Sequence, residues 1–118
     1  MSGTSLDGLD IAYCEFEEQN GRWSYRIIES ETVPYTDDFR KRVIAMENAS
    51  AVEFSSFDVE LGHYFGRLTR EFIDKHSLTP DFVCSHGQTI FHQPAKGYTT
   101  QIGNLARSEE RLVGNECD

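Results

Sequence analysis

Residues 1–16 read Met1-Ser2-Gly3-Thr4-Ser5-Leu6-Asp7-Gly8-Leu9-Asp10-Ile11-Ala12-Tyr13-Cys14-Glu15-Phe16, a glycine-bracketed polar turn running straight into an apolar stretch. Gly3 and Gly8 let the backbone bend tightly and aim several N–H groups at one anion. Thr4 and Ser5 add hydroxyl donors, and Asp7 or Asp10 suits a magnesium ion, held directly or through water. The turn lacks the Gly-Lys-Ser/Thr ending of a Walker loop. Taken alone, such a cluster reads first as a plain polar turn and only second as a phosphate cradle. The stretch after it, Leu9 to Phe16, has Ile11 and Tyr13 on one face and Ala12, Cys14 and Phe16 on the other. Apolarity on both faces predicts a strand buried inside a sheet.

Working outward, Asn20-Gly21 is a strong hairpin signal, and Trp23, Tyr25 and Ile27 alternate with Ser24 and Arg26. A second strand is expected to run to Val33 and stop at Pro34. Thr36 can cap a helix whose first turn holds Asp37 and Asp38 and whose apolar face is Phe39, Val43 and Met46. Ser55 or Ser56 is expected to start a longer helix, with Leu61, Phe65, Leu68 and Phe72 as its stripe and its end near His76-Ser77. Asp81 to His86 reads as a short buried strand. Thr89 to His92 and Thr99 to Ile102 follow as strands around a Pro94-Ala95-Lys96-Gly97 turn, and a short helix is expected from Asn104. The order strand, strand, helix, helix, strand implies an α/β arrangement with an antiparallel hairpin at its front. A phosphate-type loop is normally held by the strand before it, so a further strand upstream is expected.

Composition bounds the partners. The 118 residues allow one domain, and 38% hydrophobic with 12% aromatic content argues for a folded chain. A net charge of −9 disfavours nucleic acid and anionic membrane as partners. A small anion such as ATP, held by local backbone donors, is compatible with that charge. Cys14, Cys84 and Cys117 form no CxxC and read as free, buried thiols in a reducing compartment. There is no apolar run long enough for a membrane span and no signal peptide, so a cytoplasmic chain is expected.

Ser85-His86-Gly87-Gln88-Thr89-Ile90-Phe91-His92 is the second chemical segment. It sets imidazole, amide and hydroxyl at the end of an expected strand, where open α/β sheets place their ligand crevice. Those groups suit the hydroxyls and N-acetyl group of a sugar. His86 and His92 are six apart and lack a third ligand at suitable spacing, so no metal site is assigned to the protein alone. His92 reads equally as a strand histidine satisfied by backbone. Thr99 and Gln101 would share one face of the next strand, which on spacing alone is an edge strand ending at Gly103.

Together these motifs resemble one family, the anhydro-N-acetylmuramic acid kinases of bacterial cell-wall recycling. Residues 1–10 look like its first ATP-phosphate loop, Ser85 to His92 like its His-Gly-Gln-Thr segment, and Thr100-Gln101-Ile102-Gly103 like the segment after it; Asp58-Val59-Glu60-Leu61-Gly62 matches in kind. The resemblance implies a ribonuclease-H-like (actin-like ATPase) half-domain, a mixed sheet with an antiparallel hairpin flanked by helices. Two such halves would hold ATP between them. It implies transfer of the γ-phosphate to the 6-hydroxyl of 1,6-anhydro-N-acetylmuramic acid while water opens the anhydro bridge, a step of amino-sugar catabolism. Gly3, Thr4, Ser5, Leu6, Asp7, Gly8, Leu9 and Asp10 would bind the nucleotide phosphates and Mg²⁺, and His86, Gln88 and Gln101 would face the amino sugar.

The sequence departs from the family pattern in two ways. The strand before the loop is not found, and Val113-Gly114-Asn115-Glu116-Cys117-Asp118 stands where an Asp-Phe-Arg segment is expected. The catalytic base is expected beyond Asp118, in a second domain, and the chain alone is expected to be inactive. Apolar surface facing that domain would favour a homodimer. The competing readings are a noncatalytic fragment or interaction module of the same fold, and a metal-dependent, hydrolase-like member resting on His86 and His92.

Overall fold

The computed structural model describes residues 7–103. Strand β1 (Gly8–Gln19) turns at Asn20-Gly21 into β2 (Arg22–Pro34), and the two pair antiparallel from Gly8↔Pro34 to Gln19↔Arg22. Both turn residues have positive φ, 55° and 77°, the geometry that matches the twist of a two-residue hairpin and that Asn-Gly adopts at low cost. A register shift between Tyr13 and Cys14 leaves Ile28 as an extra residue on β2.

Helix α1 (Asp37–Ala45) begins where predicted, with the Thr36 hydroxyl accepting from the Phe39 N–H at 3.1 Å. Helix α2 (Ala51–Lys75) begins earlier than Ser55 or Ser56. The reason is Ser50, whose hydroxyl accepts from the Glu53 N–H at 3.1 Å and so satisfies one of the orphan donors of the first turn. The helix ends at His76 and Ser77, as expected, where Ser77 takes φ 53° and the Leu78 N–H reaches the Ile73 carbonyl at 2.9 Å.

Of the expected stripe on α2, Leu61, Phe65 and Phe72 are buried and Leu68 packs partly against the core; Phe57 and Ile73 extend it. Val43, Tyr35, Leu9, Ile90 and Ile102 close over this face, and Phe39 sits between Tyr35, Phe57 and Tyr64 with ring centroids 5.0, 5.8 and 4.9 Å away. Arg42 of α1 grips Glu60 of α2 with two bonds of 2.8 and 2.6 Å, and this hydrogen bonding keeps the Glu60 carboxyl below its ordinary range.

Strands β3 (Gln88–Gln93) and β4 (Tyr98–Ile102) pair antiparallel around a short helical turn at Pro94–Lys96. Three expectations change here. Residues 81–86 form no strand; they are mostly exposed and, among the described residues, pair with no sheet. Without that strand the two hairpins stay separate, so two antiparallel two-stranded sheets stand where one mixed sheet was expected. β1, expected to be buried on both faces, is buried only at Gly8 and Leu9, because β2 is its sole described strand neighbour. For the same reason Cys84 is exposed and Cys14 half-buried, both as free thiols; Cys117 and the helix expected from Asn104 lie outside the described residues. No described helix is long and apolar enough to cross a membrane.

Candidate functional site

Gly3, Thr4, Ser5 and Leu6 lie outside the described residues, so the loop is visible from Asp7 onward. The Asp7 carbonyl accepts from the Tyr35 N–H at 3.0 Å, which fixes the start of β1 against the end of β2. Gly8 must be glycine: a Cβ there would meet the Val33 carbonyl oxygen at 2.3 Å. Leu9 is buried in the core, so only its backbone is left to serve a ligand. Asp10 is exposed, and Thr32 directly across the ladder donates to its Oδ1 at 2.6 Å. That bond holds the Asp10 carboxyl below its ordinary value. Thr32 is the partner that sequence reasoning missed. Its register opposite Asp10 follows from the Asn-Gly turn together with the bulge, which the residue pattern does not announce.

Asp10 and His86 share a cleft. They line one cleft of about 580 Å³ between β1 and residues 78–87, with Phe65, Thr69, Phe72 and Ile73 of α2 among its lining residues. In it His86 is exposed, its Nδ1 lying 3.3 Å from the Gly87 carbonyl oxygen, and the Ser85 hydroxyl accepts from the Gly87 N–H at 3.2 Å. Gly87 has φ 77°, and a Cβ on it would strike the Ile102 carbonyl oxygen at 2.5 Å. A side chain is therefore excluded at this corner for both conformational and steric reasons.

The other two expected sugar residues lie elsewhere. Gln88 is fully buried; its Oε1 accepts from the Tyr35 hydroxyl at 3.0 Å and its Nε2 donates to the Thr89 carbonyl at 3.2 Å. It braces β3 against Tyr35 inside the core. Gln101 does not line the cleft and instead bonds to Thr89 and Thr99 across β3–β4. Asp58, noted only as part of a helical match, accepts from the Gly103 N–H at 2.7 Å and pins the end of β4 to α2. Among the described residues no three His, Cys, Asp or Glu side chains converge as a metal site would require.

The chain is thus an α/β arrangement in which the start of β1 and the segment ending at His86 line one cleft. The chain belongs to the anhydro-N-acetylmuramic acid kinase family, whose model matches residues 1–112. Proteins named anhydro-N-acetylmuramic acid kinase from Picosynechococcus sp. (strain PCC 7002), Pseudomonas putida (strain KT2440) and Bacillus cereus (strain AH820) are 33%, 37% and 32% identical to it. The matches cover 92%, 90% and 100% of this chain but 29%, 30% and 32% of those proteins. The chain thus spans under a third of the length of the curated relatives it matches.

Proposed function

We propose that this chain is one wall of an enzyme that uses ATP to phosphorylate 1,6-anhydro-N-acetylmuramic acid, with hydrolytic opening of the anhydro ring. The observation that carries the reading is the family match over residues 1–112, in which the glycine turn, the His-Gly-Gln-Thr segment and Gln101-Ile102-Gly103 all fall. On this reading the hairpins and α2 belong to one ribonuclease-H-like half. The turn from Gly3 to Asp10 faces the nucleotide phosphates, with Mg²⁺ as their counter-ion.

The residues fit that role. Gly8 lets the start of β1 lie against the Val33 carbonyl, which any Cβ would block, and so fixes where the turn meets the sheet. Asp10 is an exposed carboxylate oriented by Thr32 and suited to hold Mg²⁺ or one of its waters. When bound, the metal supplies charge neutralisation on the phosphates. The part left to this chain is positional: Thr32 aims Asp10, and His86 offers a ring nitrogen from the opposite wall of the cleft. Leu9 contributes backbone only, and Gln88 supports β3 from within.

Phosphoryl transfer depends mainly on positioning and charge stabilisation from both sides of a cleft. The general base and the adenosine contacts are assigned to the part of the enzyme outside the matched stretch. The 118-residue chain by itself is therefore expected to give no turnover. Incubation with γ-labelled ATP, Mg²⁺ and the anhydro sugar, read by transfer of label to sugar, tests this. Label transfer by the isolated chain would overturn the division of labour. Absence of transfer by a full-length enzyme carrying this wall would overturn the kinase assignment.

A further inference from the structure

Asp58 is out of keeping with its place on α2. It lies three and seven residues before Leu61 and Phe65, on the stripe that faces the core, where both of those are buried. A carboxylate on such a stripe costs stability unless it meets donors. Half-buried Asp58 meets one from 45 residues away, accepting from the Gly103 N–H at 2.7 Å, the short end of the range for an N–H donor.

The bond holds a corner as well as a strand end. The β3–β4 ladder closes with Gln88 opposite Ile102, so Gly103 is the first residue beyond it. A Cβ on Gly103 would lie 3.0 Å from Leu61 Cγ and from Phe65 Cε2, so the backbone there presses directly on the stripe that carries Asp58. One residue earlier, the Ile102 carbonyl oxygen would be 2.5 Å from a Cβ on Gly87, so these two backbones also touch. Gly87 in turn carries the group beside the His86 ring: its carbonyl oxygen lies 3.3 Å from His86 Nδ1, and its N–H donates to the Ser85 hydroxyl at 3.2 Å. His86 is exposed, with little packing to hold its ring, so the direction of that ring follows the Gly87 peptide. The ladder joins β3 to β4 but does not set where the pair sits on α2. Phe54 stacked on Phe91 does so toward one end, and Asp58 does so at the cleft end.

We propose that Asp58 is a positioning residue for the cleft. By holding the Gly103 N–H it fixes the corner of Gly103, Ile102 and Gly87, and through that corner the placement of His86 in the cleft it shares with Asp10. Asp58 touches neither nucleotide nor sugar; its carboxylate acts through the backbone. The placement of His86 follows from these contacts alone, whereas the effect on turnover rests on the kinase reading.

NMR of the 118-residue chain follows the series step by step. In the wild type the Gly103 amide, which lies beyond the last ladder pair, should exchange with solvent as slowly as the amides of β4. Exchange at an open-chain rate overturns the proposal, whatever the variants do. Asp58→Ala should shift the Gly103 and Gly87 amide resonances and the carbon-bound ring protons of His86. Asp58→Asn, whose amide oxygen still accepts, should recover most of that shift. Val43→Ala, a core lesion in α1 outside the cleft lining, should lower stability and leave the His86 resonances still. His86 resonances that stay in place in Asp58→Ala, or that move as far in Val43→Ala, overturn the proposal. In a full-length enzyme carrying this wall, Asp58→Ala should lower kcat/KM for the anhydro sugar about 10- to 100-fold, the scale of a misplaced group, with Asp58→Asn within about 3-fold of wild type. An unchanged kcat/KM in Asp58→Ala also overturns the positioning role, and the kinase reading then survives. A wild-type full-length enzyme that does not phosphorylate the sugar sinks the kinase reading, and the NMR result alone then decides the placement of His86.

Discussion

The two hairpins differ in a way opposite to their sequences. β1–β2 is long and rich in large apolar residues, yet Phe16, Trp23, Tyr25 and Ile27 are 62%, 71%, 72% and 56% exposed. β3–β4 is short and carries Gln, Thr and His, yet Gln88, Thr89, Ile90 and Ile102 are buried. What separates them is attachment. The root of β1–β2 reaches α2 through Leu9 and Ile11 and through Lys75–Glu31 at 3.3 Å, and its outer half meets no other described element. β3–β4 is fixed at three points: Tyr35 to Gln88, Asp58 to Gly103, and Phe54 stacked on Phe91 at 6.3 Å. Apolar alternation gives a strand the capacity to be buried, and partners elsewhere in the chain decide whether it is.

The sharpest test of that contrast is to cut the anchor itself. Phe65 lies at the centre of the core and packs against the Gly103 corner, where a Cβ would come within 3.0 Å of its ring. Phe65→Ala is expected to cost about 3–5 kcal/mol, a large share of a small domain's stability. Trp23→Ala, on the unattached half of β1–β2, is expected to change stability by no more than about 0.5 kcal/mol. Urea denaturation of the two variants decides the matter; comparable losses would mean that the outer hairpin is anchored after all.

The same contrast shows how much was legible. The cap at Thr36, the end of α2 near His76-Ser77, the Asn-Gly turn, the α2 stripe and the β3–β4 pairing follow from local rules, since each signal and its consequence lie within a few residues. The start of α2 was readable too: Ser50 with Glu53 three residues later is a capping signature that outranks Ser55 and Ser56. Other features needed knowledge of distant partners. That Asp81 to His86 forms no strand depends on the lack of a neighbouring described strand to pair with. That Gln88 is structural depends on Tyr35, 53 residues away. At the site, Asp10 and His86 line one cleft while Gln101 bonds to Thr89 and Thr99 on a different face, a separation that the spacing along the chain does not announce.

A middle-sized effect isolates one of the anchors. Tyr35→Phe keeps the ring and its stacking on Phe39 at 5.0 Å but removes the hydroxyl that donates to the buried Gln88 Oε1. The expected cost is about 1–2 kcal/mol, because a buried amide oxygen loses a donor that water cannot readily replace. The loss should be accompanied by faster amide exchange in β3 and unchanged exchange beyond Cys14 in β1. A variant as stable as wild type would show that Gln88 is held by its other contacts and that this anchor is dispensable.

The smallest effect probes the wall of the cleft. Asp10 is exposed, so the Thr32 bond, though short at 2.6 Å, competes with water and is worth little in stability. Its signature is in titration instead. A carboxyl whose folded pKa lies below its unfolded value contributes stability that is fully present above the unfolded value, near 3.8, and is lost as pH falls through the folded one. Thr32→Val removes the first cause of the depression, so the Asp10 midpoint, followed by its carboxyl carbon resonance, should rise toward 3.8. The acid limb of the stability profile should flatten below that pH, with no change at neutral pH where the group is ionised in both chains. A midpoint that stays depressed in Thr32→Val would assign the shift to another neighbour and remove Thr32 from the positioning of Asp10.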